Sequence, residues 1–133
     1  MADTLRMSIS CKPEFVRTVR LAVSSMADVA GFDVEAVEDI MVAVSEACNN
    51  VVCHSDQSLN TEYDVICEIL DDRIVISIID QVGGYDVEQY KEPQFEALKE
   101  GGLGIYIIKA LMDEVNIDSK IGSGTHMQMI KFK

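Results

Sequence analysis

Glu46 and Asn50 stand four residues apart in the run Glu38-Asp39-Ile40-Met41-Val42-Ala43-Val44-Ser45-Glu46-Ala47-Cys48-Asn49-Asn50. On a helix both project from one face. A carboxylate and a carboxamide so placed can share a Mg2+ shell, the Asn oxygen ligating the ion while Glu orients or deprotonates a nucleophile. Spacing alone leaves open a plainer reading, two polar residues on a solvated face. Further on, Glu100-Gly101-Gly102-Leu103-Gly104-Ile105 places three glycines at the mouth of a predicted helix. There the backbone can approach a phosphate closely, and free N–H groups with the helix dipole favour an anion. Asp80 ends an apolar strand, where its carboxylate can accept from an exocyclic amine such as that of adenine. Gly124-Thr125 opens the last predicted strand and can bring a hydroxyl to the same pocket. Each feature alone is equally a turn: a Gly-rich bend, a strand-ending Asp, a hairpin Gly. The order of all four, separated by the predicted elements, is what points to chemistry.

Those elements read as follows. Leu5, Met7, Ile9 and Cys11 alternate with polar residues as in a half-buried strand. Pro13 and Glu14 suit a first helical turn, Val16, Val19, Val23, Met26 and Ala30 then recur at helical steps, and Gly31 stops the helix. Asp33 is the expected N-cap of a second, longer helix with a stripe running from Val37 to Val51. Tyr63, Val65, Cys67 and Ile69 predict a strand, and an Asp71-Asp72 turn joins it to the apolar run Ile74–Ile79, the pattern of a strand covered on both faces. From Gln81 to Gly102 the chain is polar and aperiodic, the mark of a functional loop or lid. A helix over Gly104–Met112, a strand at Val115 and Ile117, a Gly122-Ser123-Gly124 turn and a strand over Thr125–Phe132 complete the order. Hairpin-linked strands with grouped helices imply an α/β two-layer sandwich, a mixed and mostly antiparallel sheet with helices on one face.

The chain has 133 residues, with 23 Asp+Glu against 11 Lys+Arg and a net charge of −12. With 48% hydrophobic and 26% charged residues it reads as a globular domain spanning 1–133 rather than a disordered chain. Such acidity argues against direct nucleic-acid binding, which depends on Lys and Arg meeting phosphates. No apolar run approaches the ~18 residues of a membrane helix, and the N-terminus lacks the layout of a signal peptide. Cys11, Cys48, Cys53 and Cys67 form no CxxC pair, so cytoplasmic thiols are expected. Cys53-His54 has no second ligand pair at zinc spacing, and the cysteines read instead as small apolar side chains.

The chain resembles a GHKL-type (Bergerat-fold) ATPase domain and, within that group, the anti-sigma factor serine-protein kinases of the RsbW and SpoIIAB type. The residues that carry the resemblance are Glu38–Asn50 with His54 following, Asp80, Glu100–Tyr106 leading to Leu111-Met112-Asp113-Glu114-Val115, and Gly124-Thr125, with Pro13-Glu14-Phe15 at the first helix. It covers essentially the whole chain. The resemblance implies ATP and Mg2+ as cofactors, with Glu46 the general base and Asn50 the Mg2+ ligand. It implies that Asp80 binds the adenine amino group, that Gly83 and Gly84 lie in the first glycine box, and that Gly101, Gly102, Leu103 and Gly104 close over the phosphates. Thr125 would support the adenine end, Arg17 would touch a partner, and His54 matches a frequent His of no assigned role. The implied activity is transfer of phosphate to a serine of an anti-anti-sigma (STAS-domain) protein, coupled to sequestration of a sigma factor by a cytoplasmic homodimer. One departure is Val82, in Asp80-Gln81-Val82-Gly83-Gly84, where the family usually has Asp-x-Gly-x-Gly. A β-branched residue there disfavours positive φ and leaves the turn to Gly83. The departure favours an alternative, a non-catalytic or weakly ATP-binding module of the same fold.

Overall fold

A computed structural model describes residues 2–54, 61–81, 103–120 and 124–133. The first strand, β1 (Asp3–Ser10), leads through a single 3-10 turn at Pro13–Phe15 into helix α1 (Val16–Val29). Pro at the start of that turn has no N–H to leave unmet. Val16, Val19, Val23 and Ala27 form the buried stripe of α1. The helix ends in paired carbonyl caps, Phe32 N–H donating to Ala27 at 3.2 Å and Gly31 N–H to Asp28 at 3.0 Å. These caps turn the chain directly into α2 (Val34–His54). Asp33 is its N-cap as expected, its carboxylate accepting from Ala36 N–H at 2.8 Å.

Strands β2 (Glu62–Ile69) and β3 (Arg73–Asp80) form a hairpin closed by Leu70 N–H donating to the Arg73 carbonyl at 2.9 Å. Helix α3 (Leu103–Leu111) then precedes β4 (Glu114–Lys120) and β5 (Gly124–Phe132). The sheet runs in the order β1-β2-β3-β5-β4. Every described pairing is antiparallel, so the expected mostly antiparallel sheet has no parallel pair among the described strands. The reason is topological: β3 and β4, joined through α3, run parallel, but β5 inserts between them and opposes both.

The helices cover one sheet face, and the core lies between α1, α2 and the inward rows of β2, β3 and β5. Tyr63, Val65, Ile74, Ile76, Ile78, Met127 and Met129 are all at or near zero exposure. The apolar run of β3 is buried on both faces from Ile74 to Ile78, as its pattern predicts. No described helix covers the opposite face, yet Val75 and Ser77 are buried there, on the central strand of the sheet. The edge strand β1 shows the converse, with Leu5, Met7 and Ile9 only half-buried despite their alternation.

Cys11, Cys48 and Cys67 are buried and Cys53 is exposed, all as free thiols. Burial pushes the Cys48 and Cys67 thiols up to about 12. A thiol whose pKa is raised on folding stabilises the native state fully below its unfolded value of 9.0, and that stability is lost as pH climbs from there towards about 12. The unfolding free energy from urea titration should therefore fall between pH 8 and pH 10.5, by roughly 2 kcal/mol for each of the two thiols, with a lower midpoint at the higher pH. A thiol reagent at neutral pH should titrate Cys53 promptly and Cys11, Cys48 and Cys67 only after denaturation.

Candidate functional site

Two groups of polar side chains sit at element ends, and each is placed by strand or helix geometry. The first lies between α2 and α3. Glu46 and Asn50 are half-buried on successive turns of α2, beside the buried Ala43, Ala47 and Val51 that hold the helix to the core. Gly104, in the first turn of α3, lies against Glu46: a Cβ at this position would be 3.0 Å from Glu46 Oε2. Helix and carboxylate can come this close because residue 104 has no side chain. The Asn50 carboxamide nitrogen is buried and meets no acceptor among the described residues. A donor left unmet in a buried place is costly, unless a ligand completes it.

The second group lies where β3, β5 and β4 end side by side. Asp80 is paired with Thr125 across β3 and β5, and Thr125 with Ser119 across β5 and β4. Asp80, Thr125 and Ser119 are 3%, 5% and 7% exposed, an unusual concentration of polarity in a buried row. The hydroxyls of Ser119 and Thr125 lie 2.7 Å apart, and Ser119 Oγ also donates to the Gly124 carbonyl at 3.2 Å. These bonds fix the Thr125 rotamer. Gly124 adopts φ +90°, and a Cβ there would collide with the Asp80 carbonyl oxygen. Beside this row opens a cavity of about 560 Å³ lined by Ile79, Asp80, Gln81, Asp118, Thr125 and His126.

The structure thus brings Glu46 against Gly104, with Asn50 one turn further along α2, and pairs Asp80 with Thr125. The lining of the 560 Å³ cavity includes none of the α2 residues. Leu103 is the first residue of α3, next to Gly104. Arg17 is exposed on α1 and lines neither group. Gly83, Gly84, Gly101 and Gly102, with Val82, lie outside the described residues, as does the side chain of His54. Ser119 was missed in the sequence. Its one signal is register, since a small polar residue five positions before Gly124 in a hairpin must face Thr125. The residues fit a nucleotide in two respects: a buried carboxylate and hydroxyl at the cavity, and an unmet amide donor on α2 one turn from the Glu46 carboxylate that a glycine admits to close approach.

Residues 9–131 match the family model described as histidine kinase-like ATPase domain. The serine-protein kinase RsbW of Bacillus licheniformis is 36% identical over 141 residues, covering 98% of this chain and 86% of the relative. This chain belongs to the RsbW family of histidine kinase-like ATPases. RsbW of Oceanobacillus iheyensis is 38% identical over 129 residues, covering 90% of this chain and 82% of its own, and RsbW of Bacillus subtilis is 32% identical over 140 residues, covering 98% and 86%. The crystal structure of the RsbU and RsbW domains of a Mycobacterium tuberculosis protein superposes with a TM-score of 0.73 at 21% identity, over 98% of this chain and 32% of that one, so the RsbW fold is shared. Among the described residues no helix is long and apolar enough to cross a membrane.

In this RsbW-family chain, Gly124→Ala places a Cβ against backbone at a left-handed φ. It should destabilise the native state by at least about 1–3 kcal/mol in urea unfolding, the scale of strained non-Gly backbone.

Proposed function

We propose that the protein is an ATP-dependent serine kinase and anti-sigma factor, acting on a serine of an anti-anti-sigma STAS-domain protein and holding a sigma factor when that antagonist is phosphorylated. The observation that carries this reading is the approach of Gly104 to the Glu46 carboxylate, with the unmet amide donor of Asn50 one turn away. Asp80 would accept from the adenine amino group, and Thr125, held by Ser119, would support the same end of the nucleotide. Asn50 would hold Mg2+ through its carboxamide oxygen and leave its nitrogen to a phosphate oxygen. The ion would supply neutralisation of phosphate charge, which a chain of net charge −12 otherwise opposes. The N–H groups at the mouth of α3, with the preceding Gly101 and Gly102, would cradle the phosphates. Glu46 would take the proton from the attacking serine hydroxyl. Positioning and charge neutralisation supply most of the rate in phosphoryl transfer, so the base contributes alongside the glycine-loop donors rather than alone. Arg17 would contribute to the surface that the sigma factor and the antagonist contest. A cytoplasmic homodimer is part of the same proposal.

The direct test is incubation with labelled ATP, Mg2+ and STAS-domain proteins of the same genome, followed by locating the phosphoserine. Glu46→Gln keeps the shape and removes the base. It should bind ATP with unchanged affinity and lose transfer by about 100-fold or more, within the range expected for general-base removal. Undiminished transfer would take Glu46 out of this role.

Gly104→Ala separates stability from activity. Alanine favours the helix over glycine by up to about 1 kcal/mol, so the melting temperature should hold or rise. The added Cβ displaces the Glu46 carboxylate by several tenths of an ångström, and transfer should fall by about tenfold or more. Equal rates in the two proteins would show that the contact does not set the position of the base.

A further inference from the structure

Lys131, in β5, sits at the far end of the same helix pair. Its ammonium donates to the Leu111 carbonyl at 2.6 Å, capping the C-terminus of α3, and lies 3.5 Å from Oδ2 of Asp39 on α2. A cation at a helix C-terminus meets both an orphan carbonyl and the negative end of the dipole. The Lys131 and Asp39 side chains are only 16% and 31% exposed, so solvent screens the pair less than an open surface pair. Two other bonds at this corner, Asp113 N–H to the Ile130 carbonyl at 2.9 Å and Phe132 N–H to Asp113 Oδ2 at 2.7 Å, tie the end of α3 to β5. Of these ties, the Lys131 bridge is the one that reaches α2.

The spacing gives this bridge a consequence at the site. Asp39 precedes Glu46 by seven residues on α2, and Leu111 follows Gly104 by seven on α3. Seven residues are close to two helical turns, or roughly 10.5 Å, so each pair lies on one helix face. The helices therefore meet at two points of equal separation, Asp39 with Leu111 through Lys131 at one end, and Glu46 with Gly104 at the other. With one end clamped, α3 cannot slide or tilt against α2 without opening the other.

We propose that Lys131 is a positioning residue for phosphoryl transfer: its bridge from Asp39 to the Leu111 carbonyl sets the distance between the Glu46 carboxylate and the first turn of α3. The inference rests on the kinase reading of Glu46 and Gly104. Lys131 touches neither nucleotide nor serine and acts through the two helices. Because the Asp80 and Thr125 end is held by strand pairing, losing the bridge should spare binding at the adenine end and slow the transfer step.

The test compares full-length wild type with Lys131→Met, which keeps the aliphatic stem, Lys131→Arg, which keeps the charge and donors, and Asp39→Asn. Lys131→Met should lower kcat by about tenfold or more while the KM for ATP and the Kd for ADP stay within about twofold, as expected of misplacement rather than lost binding. Lys131→Arg should recover most of the rate, and Asp39→Asn should fall between. Hydrogen exchange without nucleotide should show residues 103–111 less protected in Lys131→Met, with the strands unchanged. That readout needs no catalysis, so it keeps a failed bridge distinct from a wild type that transfers no phosphate. If Lys131→Met does not fold, Asp39→Asn, which retains the Leu111 cap, carries the same measurements. A wild-type kcat in Lys131→Met, a Lys131→Arg as slow as Lys131→Met, or unchanged exchange over 103–111 would overturn the proposal.

Discussion

The packing of α3 against α2 is the constraint on which the rest of the site depends. A carboxylate on a helix face is ordinary, and so is a glycine in a first helical turn. Their contact at 3.0 Å between Glu46 Oε2 and the Cβ position of residue 104 is not, because any other residue would push the carboxylate aside. It places an acid group and the positive end of a helix side by side without a covering side chain, an arrangement suited to a nucleophile and a phosphate meeting there. The sheet then has one task relative to this pair, to hold Asp80 and Thr125 at a fixed end of the molecule, which the β3–β5 register does.

How the fold meets that constraint follows from connectivity. After β3 the chain must return through α3 to a strand running the same way, and β5 enters between the two. Three strand ends, those of β3, β4 and β5, thereby converge on Asp80, Ser119 and Thr125. A buried polar row of this kind is costly unless its members satisfy one another, and the Ser119–Thr125 pair at 2.7 Å does part of that. Gly124 is needed for the same convergence, since a side chain would collide with the backbone of Asp80.

Much of this was legible in the sequence, and the physical reasons differ by residue. The spacing of Glu46 and Asn50 could be read because the buried stripe of α2 fixes the helix phase. Asp33, Gly31 and the Asp71-Asp72 turn are local signals, decided by neighbours in the chain, and each marked a boundary that the structure keeps. Gly124-Thr125 was legible as a strand opening, but its collision partner was not, because that requires the β3–β5 register. Ser119 and Lys131 escaped for a related reason: each is a polar residue on the inward row of its strand, in step with Val115 and Ile117 or with Met127 and Met129, and only tertiary pairing shows that one meets Thr125 and the other Leu111 and Asp39. The apolar run of β3 suggested burial on both faces, and as the central strand of five it has Val75 and Ser77 buried as well as Ile74, Ile76 and Ile78. Gly83, Gly84, Gly101 and Gly102 fall outside the described residues, so their part in the site stays a proposal drawn from the resemblance.

The central claim, that one nucleotide spans the polar row at the strand ends and the contact between α2 and α3, is tested most directly by titrating isotope-labelled protein with Mg-ADP and then with a non-hydrolysable Mg-ATP analogue while following backbone amide resonances. The expected result is that Asp80, Ser119 and Thr125 respond to both ligands, and that Glu46, Asn50 and Gly104 respond more strongly when the terminal phosphate is present. Shifts that leave Glu46 and Gly104 unmoved by the triphosphate would contradict it.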